Sequence, residues 1–135
     1  MHDPAAVRSA VSQRVLARLP ELTERLTDRL LPVLEDSHVV DSTVQRLVAQ
    51  FARNVLVESM GAMPSLDPPP QARTIAAGVA LAHRLAQAGV TAYTTDQLVH
   101  VAQAWWLDLV LAEVDRVQPD GVAMDLVTPL MLWQM

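Results

Sequence analysis

Apolar residues recur along this chain at steps of three and four. Val7, Val11, Val15, Leu19, Leu22, Leu26 and Leu30 form one such series, which is the spacing of a helix with one buried face and not of an alternating strand. Asp3 followed by Pro4 reads as an N-cap with proline in the first turn. Pro20 interrupts the stripe, because it lacks an amide donor and crowds the carbonyl of Leu16. The pattern therefore predicts a first helix to about Leu19 and a second from Pro20 to about Leu34, with a break near Pro32.

A short connector, "SHVVDS", leads to Ser42 and Gln45, whose spacing is that of a capping box for a third helix. Val44, Leu47, Val48, Phe51 and Val55 form its core stripe and leave Arg46, Gln50 and Arg53 facing outward. "GAMPSLDPPP", Gly61 to Pro70, holds four prolines and a glycine and reads as a stiff loop between helices. A fourth helix is expected from about Gln71 to Ala88, stopped at Gly89 in a left-handed conformation. Thr94 and Gln97 repeat the capping-box spacing and open a fifth helix that runs to about Val117, and Pro119 with Asp120 starts a short sixth. No internal repeat or low-complexity tract is present.

The fifth helix departs from the amphipathic pattern. "AWWLDLVLA", Ala104 to Ala112, is apolar on nearly every side and only Asp108 breaks it, so it is expected to be buried on both flanks, within the domain or against a partner. The end of the chain, "TPLMLWQM", is also strongly apolar, which leads to the expectation of a piece of a longer protein or of a terminus packed into an oligomer. Trp105 and Trp106 stand about 100° apart around a helix, so one is expected in the core and the other at a boundary. A dimer face built from Trp105, Trp106, Leu109 and Val110 is the natural candidate.

Length and charge then narrow the classes. The chain of 135 residues suits one domain with its own core. It holds no cysteine, which removes thiolate chemistry and Cys-ligated zinc and fits a cytoplasmic protein. Its formal net charge is -5 and all ten basic residues are arginine, so the bulk surface repels nucleic acid and anionic membrane. No apolar run reaches the roughly 18 residues that read as a bilayer span, and the start, "MHDPAAVRSAV", is not that of a secretory signal.

The stretch "HRLAQAGVTAYTTDQLVHVAQAWW", His83 to Trp106, has the outline of a helix-turn-helix. From Leu85 to Asp115 it carries no cation, while Asp96, Asp108, Glu113 and Asp115 are acidic, so direct nucleic-acid contact is not expected. His83 and His100 lie on either side of the turn without a carboxylate-histidine metal pattern. His100 shares a polar stripe with Asp96 and Gln103 and reads as a surface histidine, whereas His83, beside Val79 and Ala80, is the candidate for partial burial. Met60, Met63, Met124, Met131 and Met135 are expected to fill gaps in a core. The acids Glu21, Glu24, Asp28, Glu35 and Asp36 spread along a helix face, with Glu21 and Arg25 at helical spacing, and the serines form no nucleophile motif. Neither an enzyme nor a metal or cofactor site is predicted from these residues.

Four segments, "RLPELTERLTDRLLPVLEDSHVVD", "VAQFARNVLVESMGAM", "PPPQARTIAAGVALAHRLAQAGV" and "DQLVHVAQAWWLDLVLAEV", in this order, resemble the N-terminal helical domain of PucR-like transcriptional regulators. That domain is similar to the N-terminal domain of RsbR-type stress regulators, which has a globin-like fold without haem. The likeness spans roughly residues 10 to 117 and rests on Leu19-Pro20-Glu21-Leu22, Asn54 and the "LAQAGV" turn. Such domains usually carry an arginine-tyrosine-arginine cluster soon after that turn; here "TAYTTDQ" intervenes and His100 and Gln103 stand where the arginines would be. The resemblance implies a C-terminal DNA-binding domain elsewhere in a parent protein and a role in sensing a small-molecule or protein signal.

The sequence thus predicts an all-α single domain over residues 1–135, of five to six helices in a globin-like or orthogonal helical bundle. Its expected role is non-catalytic regulation as a cytoplasmic homodimer, with a signal that favours one helix arrangement at the subunit interface. The alternative is a haem or small-molecule sensor with a pocket between the fourth and fifth helices, lined by His83, Tyr93, His100 and a tryptophan.

Overall fold

A computed structural model of the chain describes residues 4–35, 40–64 and 71–117. Helices fill almost all of them: α1 (Pro4–Ala17), α2 (Leu19–Leu34), α3 (Ser42–Ala62), α4 (Gln71–Gln87) and α5 (Ala92–Val117). No strand occurs among the described residues, and the helices pack as a bundle with two storeys of core.

One storey gathers Val7, Val11 and Val15 of α1, Leu22 of α2, Leu56 and Met60 of α3, Met63 just beyond it, and Trp106, Val110 and Val114 of α5. The other gathers Leu26, Leu30 and Leu34 of α2, Val44, Val48, Phe51 and Ala52 of α3, Leu81 and Leu85 of α4, Val90, and Leu98 and Ala102 of α5. As α2 proceeds it passes from the first storey to the second, while α3 and α5 pass from the second to the first, so α2 runs against both. Trp105 packs against both clusters and closes the gap between them. The apolar stripe read from the first thirty residues is the observed core face, except that Leu19 is only partly buried. Met60 and Met63 are fully enclosed, as expected of gap-filling methionines.

Helix boundaries follow local chemistry, with several corrections. The joint between α1 and α2 is the single residue Arg18 (φ -110°, ψ 19°), and Pro20 falls in the first turn of α2, where its missing N–H leaves no helical bond unmade. Pro32 does not break α2, which continues to Leu34: the ring faces solvent, and the lost bond to the Asp28 carbonyl is confined to the last turn. The cap of α3 is Asp41 and not Ser42. Asp41 takes the extended conformation (φ -104°, ψ -179°) and its Oδ1 accepts from the Val44 amide at 2.8 Å. The cap of α5 is likewise earlier than Thr94, since Thr91 Oγ1 accepts from the Thr94 amide at 3.3 Å and α5 begins at Ala92.

Gly61 belongs to α3 and not to the following loop. At the far end of α4, Gly89 has φ +89° and donates to Ala86, while Val90 donates to Leu85 at 2.9 Å; this is a Schellman closure, and Val90 and Leu85 pack in the same core. The Asp3 cap, the sixth helix at Pro119 and Asp120, Met124, Met131, Met135 and the apolar end 128–135 lie outside the described residues. No helix among the described residues is long and apolar enough to cross a membrane.

Candidate functional site

The turn after α4 aims the sequence's candidate ligand residues outward. The buried face of α4 is that of Leu81 and Leu85, so the opposite line of Val79, Ala80, His83 and Gln87 faces solvent. His83 is therefore exposed and not partly buried, and its Nε2 lies 3.2 Å from Gln87 Nε2 one turn on. Tyr93 is 71% exposed and its hydroxyl accepts from Gln97 Nε2 at 2.9 Å on the same helix. His100 is exposed too, as its polar stripe implied. The three side chains thus sit on outer surfaces and do not enclose a common pocket. No group of three His, Asp or Glu side chains placed to hold a metal ion occurs among the described residues.

The interface candidates divide. Trp106, at 1% exposure, and Val110 are shut inside the chain's own core. Trp105 and Leu109, one turn apart, are half-buried on one flank of α5, and Leu107 and Leu111 are half-buried on the other. Between the flanks runs an exposed line of Ala104, Asp108 and Ala112. Within the single chain, α5 therefore has one buried face, two half-covered flanks and one open line, so the burial of both flanks expected from its composition is only partial here. The inward series Trp106, Val110 and Val114 accounts for this, because it takes up only about a third of the helix circumference.

One polar constellation is built into the core, and sequence reading passed over it. Glu113 is 1% exposed on the buried face of α5, and three guanidinium groups converge on it. Arg14 Nε stands 2.8 Å from Oε2, and Arg18 Nη1 and Arg116 Nη1 stand 2.9 and 3.0 Å from Oε1. Arg14 and Arg18 come one turn apart from the end of α1 and the joint, while Arg116 comes from the next turn of α5 itself.

Arg18 is engaged on both sides. Its Nε and Nη2 reach Glu21 at 3.4 and 3.3 Å, and Glu21 also meets Arg25 at 2.8 Å. The Arg18 hydrogen bonds, seconded by the charges of Arg18 and Arg25 against some desolvation, hold the Glu21 carboxyl below the usual glutamate range. The same contact raises Arg18 above its ordinary value and keeps it cationic. By sequence Glu113 reads only as one of the acids of α5. The signal available was its place seven residues after Trp106, two helical turns along the inward face, together with a pair of arginines four residues apart on α1.

A second polar tie joins α1 to the end of α3. The carbonyl of Met60 would take its helical bond from residue 64, which is proline and has no N–H. Ser12 Oγ, buried, donates to that carbonyl instead at 2.6 Å, and Arg8 Nε donates to the carbonyl of Pro64 at 3.3 Å. The carbonyls at the C-terminal end of α3 are thus capped by side chains of α1. Asp41, the cap of α3, also meets Arg84 of α4 at 3.3 Å. No family model, curated protein or solved structure matches this chain.

Proposed function

We propose that the chain is a non-catalytic regulatory domain, the role implied by its resemblance to the N-terminal domains of PucR-like regulators, and that it pairs with a second copy of itself through α5. The observation that carries this reading is the outer side of α5, where Trp105 and Leu109 on one flank and Leu107 and Leu111 on the other stay half-covered around the open line of Ala104, Asp108 and Ala112. Small residues on that line let a second helix approach closely, and the half-covered flanks supply the apolar area to bury. Trp106 and Val110 serve the interface indirectly, as the core on which that helix is seated.

Regulation follows from how α5 is held. It carries both storeys of the core, and Glu113 ties its last turns to the joint between α1 and α2. A signal that prefers one seating of α5 shifts the pairing geometry by the difference in its affinity for the two arrangements, and passes that change to an attached domain.

Light scattering with absorbance recorded from 280 to 450 nm on the purified protein tests the reading. The expected result is a colourless dimer that Ala104→Arg with Ala112→Arg converts to a monomer of unchanged helicity, since both positions are exposed and outside the core. A monomer at the highest soluble concentration, or a dimer indifferent to the paired substitution, would overturn it. A Soret band lost in His83→Ala would replace it with the haem sensor.

A further inference from the structure

The cluster around Glu113 holds more positive charge than a buried carboxylate requires. Three arginines face one glutamate, and the second acid nearby, Glu21, is matched by Arg25 as well as by Arg18. Among the described residues two positive charges are left over in these ion pairs, on a chain of net charge -5. The excess resides in Arg14 and Arg116. Arg14 engages Glu113 through Nε alone and Arg116 through Nη1 alone, and their side chains are 49% and 57% exposed. Their remaining N–H groups meet no acceptor among the described residues.

Rigid placement makes this pair different from ordinary surface arginines. Both guanidinium groups are pinned to the two oxygens of one carboxylate that the core holds still, so much of the ordering entropy that a flexible arginine would lose on binding is already spent. Asp115, the nearest acid in sequence to Arg116, lies about 200° around the helix from Glu113 and faces away from the cluster.

We infer that Arg14 and Arg116 form a binding site for a doubly charged oxyanion of the phosphate class at the α1–α5 edge, with Glu113 as the positioning residue beneath them. The anion lies outside the pair and takes the free N–H edges of both guanidinium groups, as arginine forks do with phosphate. Arg18 is already shared between Glu113 and Glu21, with Nη1 on the one and Nε and Nη2 on the other, and is not counted among the anion's ligands. Because the site joins α1 to α5 within one chain, it stands whether or not the domain pairs with a second copy.

The test is an NMR titration of the arginine Nε–H signals with inorganic phosphate at constant ionic strength, above the second ionisation of phosphate, with acetate as the singly charged comparison. Saturable shifts confined to Arg14 and Arg116 are expected, stronger with phosphate than with acetate. Arg14→Gln with Arg116→Gln should weaken binding by about tenfold or more, while Arg46→Gln with Arg53→Gln on the outer face of α3 should leave it unchanged. Should the first pair fail to fold, Arg14→Lys with Arg116→Lys keeps the charge but loses the fork, and weaker binding is again expected. Linear shifts shared by Arg46 and Arg53, equal response to acetate, or wild-type affinity in either Arg14/Arg116 variant pair would overturn the assignment.

Discussion

Ser12 of α1 donates its hydroxyl proton to the backbone carbonyl of Met60 in α3, at 2.6 Å and away from solvent. The bond exists because Pro64 cannot supply the helical donor that this carbonyl would otherwise receive. A proline that ends one helix has thereby created a docking point for another.

Ser12→Ala should lower stability by about 1–3 kcal/mol, the usual range for stranding a buried acceptor. Ser12→Thr, which keeps the hydroxyl, should recover part of that loss. Urea unfolding of the three proteins decides it: equal midpoints for wild type and Ser12→Ala would mean that water reaches the Met60 carbonyl.

Glu113 and its arginines should respond unequally to substitution. Converting Arg14, Arg18 and Arg116 together to Met leaves a carboxylate buried without a partner and should cost about 3–5 kcal/mol. Converting Glu113 to Gln leaves arginines that are all at least 31% exposed and can turn to water, so its cost should be smaller. The comparison needs only denaturant curves, and the reverse order would show that the carboxylate is hydrated in solution.

The two tryptophans should separate in the same way. Trp106→Ala empties a fully enclosed site and should cost about 3–5 kcal/mol, whereas Trp105→Ala, at a half-covered flank, should cost clearly less. A charge at Trp106 is expected to unfold the chain instead of merely dispersing a dimer, and circular dichroism distinguishes those outcomes. Equal losses from the two alanine variants would contradict the placement of Trp106 in the core.

Glu21 supplies a pH dependence of known sign. Its folded carboxyl is held below the ordinary glutamate range, first by the Arg18 hydrogen bonds. Its stabilising contribution is therefore complete above that range and is lost as pH falls through the folded value. Glu21→Gln should flatten the acid limb of stability over that window, and a carboxyl carbon titration of Glu21 should show a midpoint below that of glutamate in an unstructured peptide. A midpoint at or above the peptide value would remove Arg18 as its partner.

Gly89→Ala should cost about 1–2 kcal/mol, because φ +89° places Cβ against the following carbonyl although the space around it is open. Thermal melts measure it directly, and an unchanged melting temperature would mean that the turn re-forms without the left-handed residue.

Periodicity along the chain is enough to determine the helices of this protein. A buried stripe at steps of three and four, a proline near residue 20 and a glycine after α4 are local signals, and each acts within one or two turns of chain. The caps were legible as regions but not as residues. Asp41 and Ser42, or Thr91 and Thr94, compete within a few positions, and the choice falls to whichever residue takes extended backbone as the chain enters the helix.

Tertiary packing alone decided which tryptophan turns inward, that His83 and Tyr93 face water, and that Glu113 lies in the core. The physical reason is the distance along the chain between partners. Arg14 and Glu113 are 99 residues apart and Ser12 and Met60 are 48 apart, so a carboxylate or a carbonyl that looks solvated in sequence becomes buried only when α1 folds over it and brings the groups that make burial tolerable.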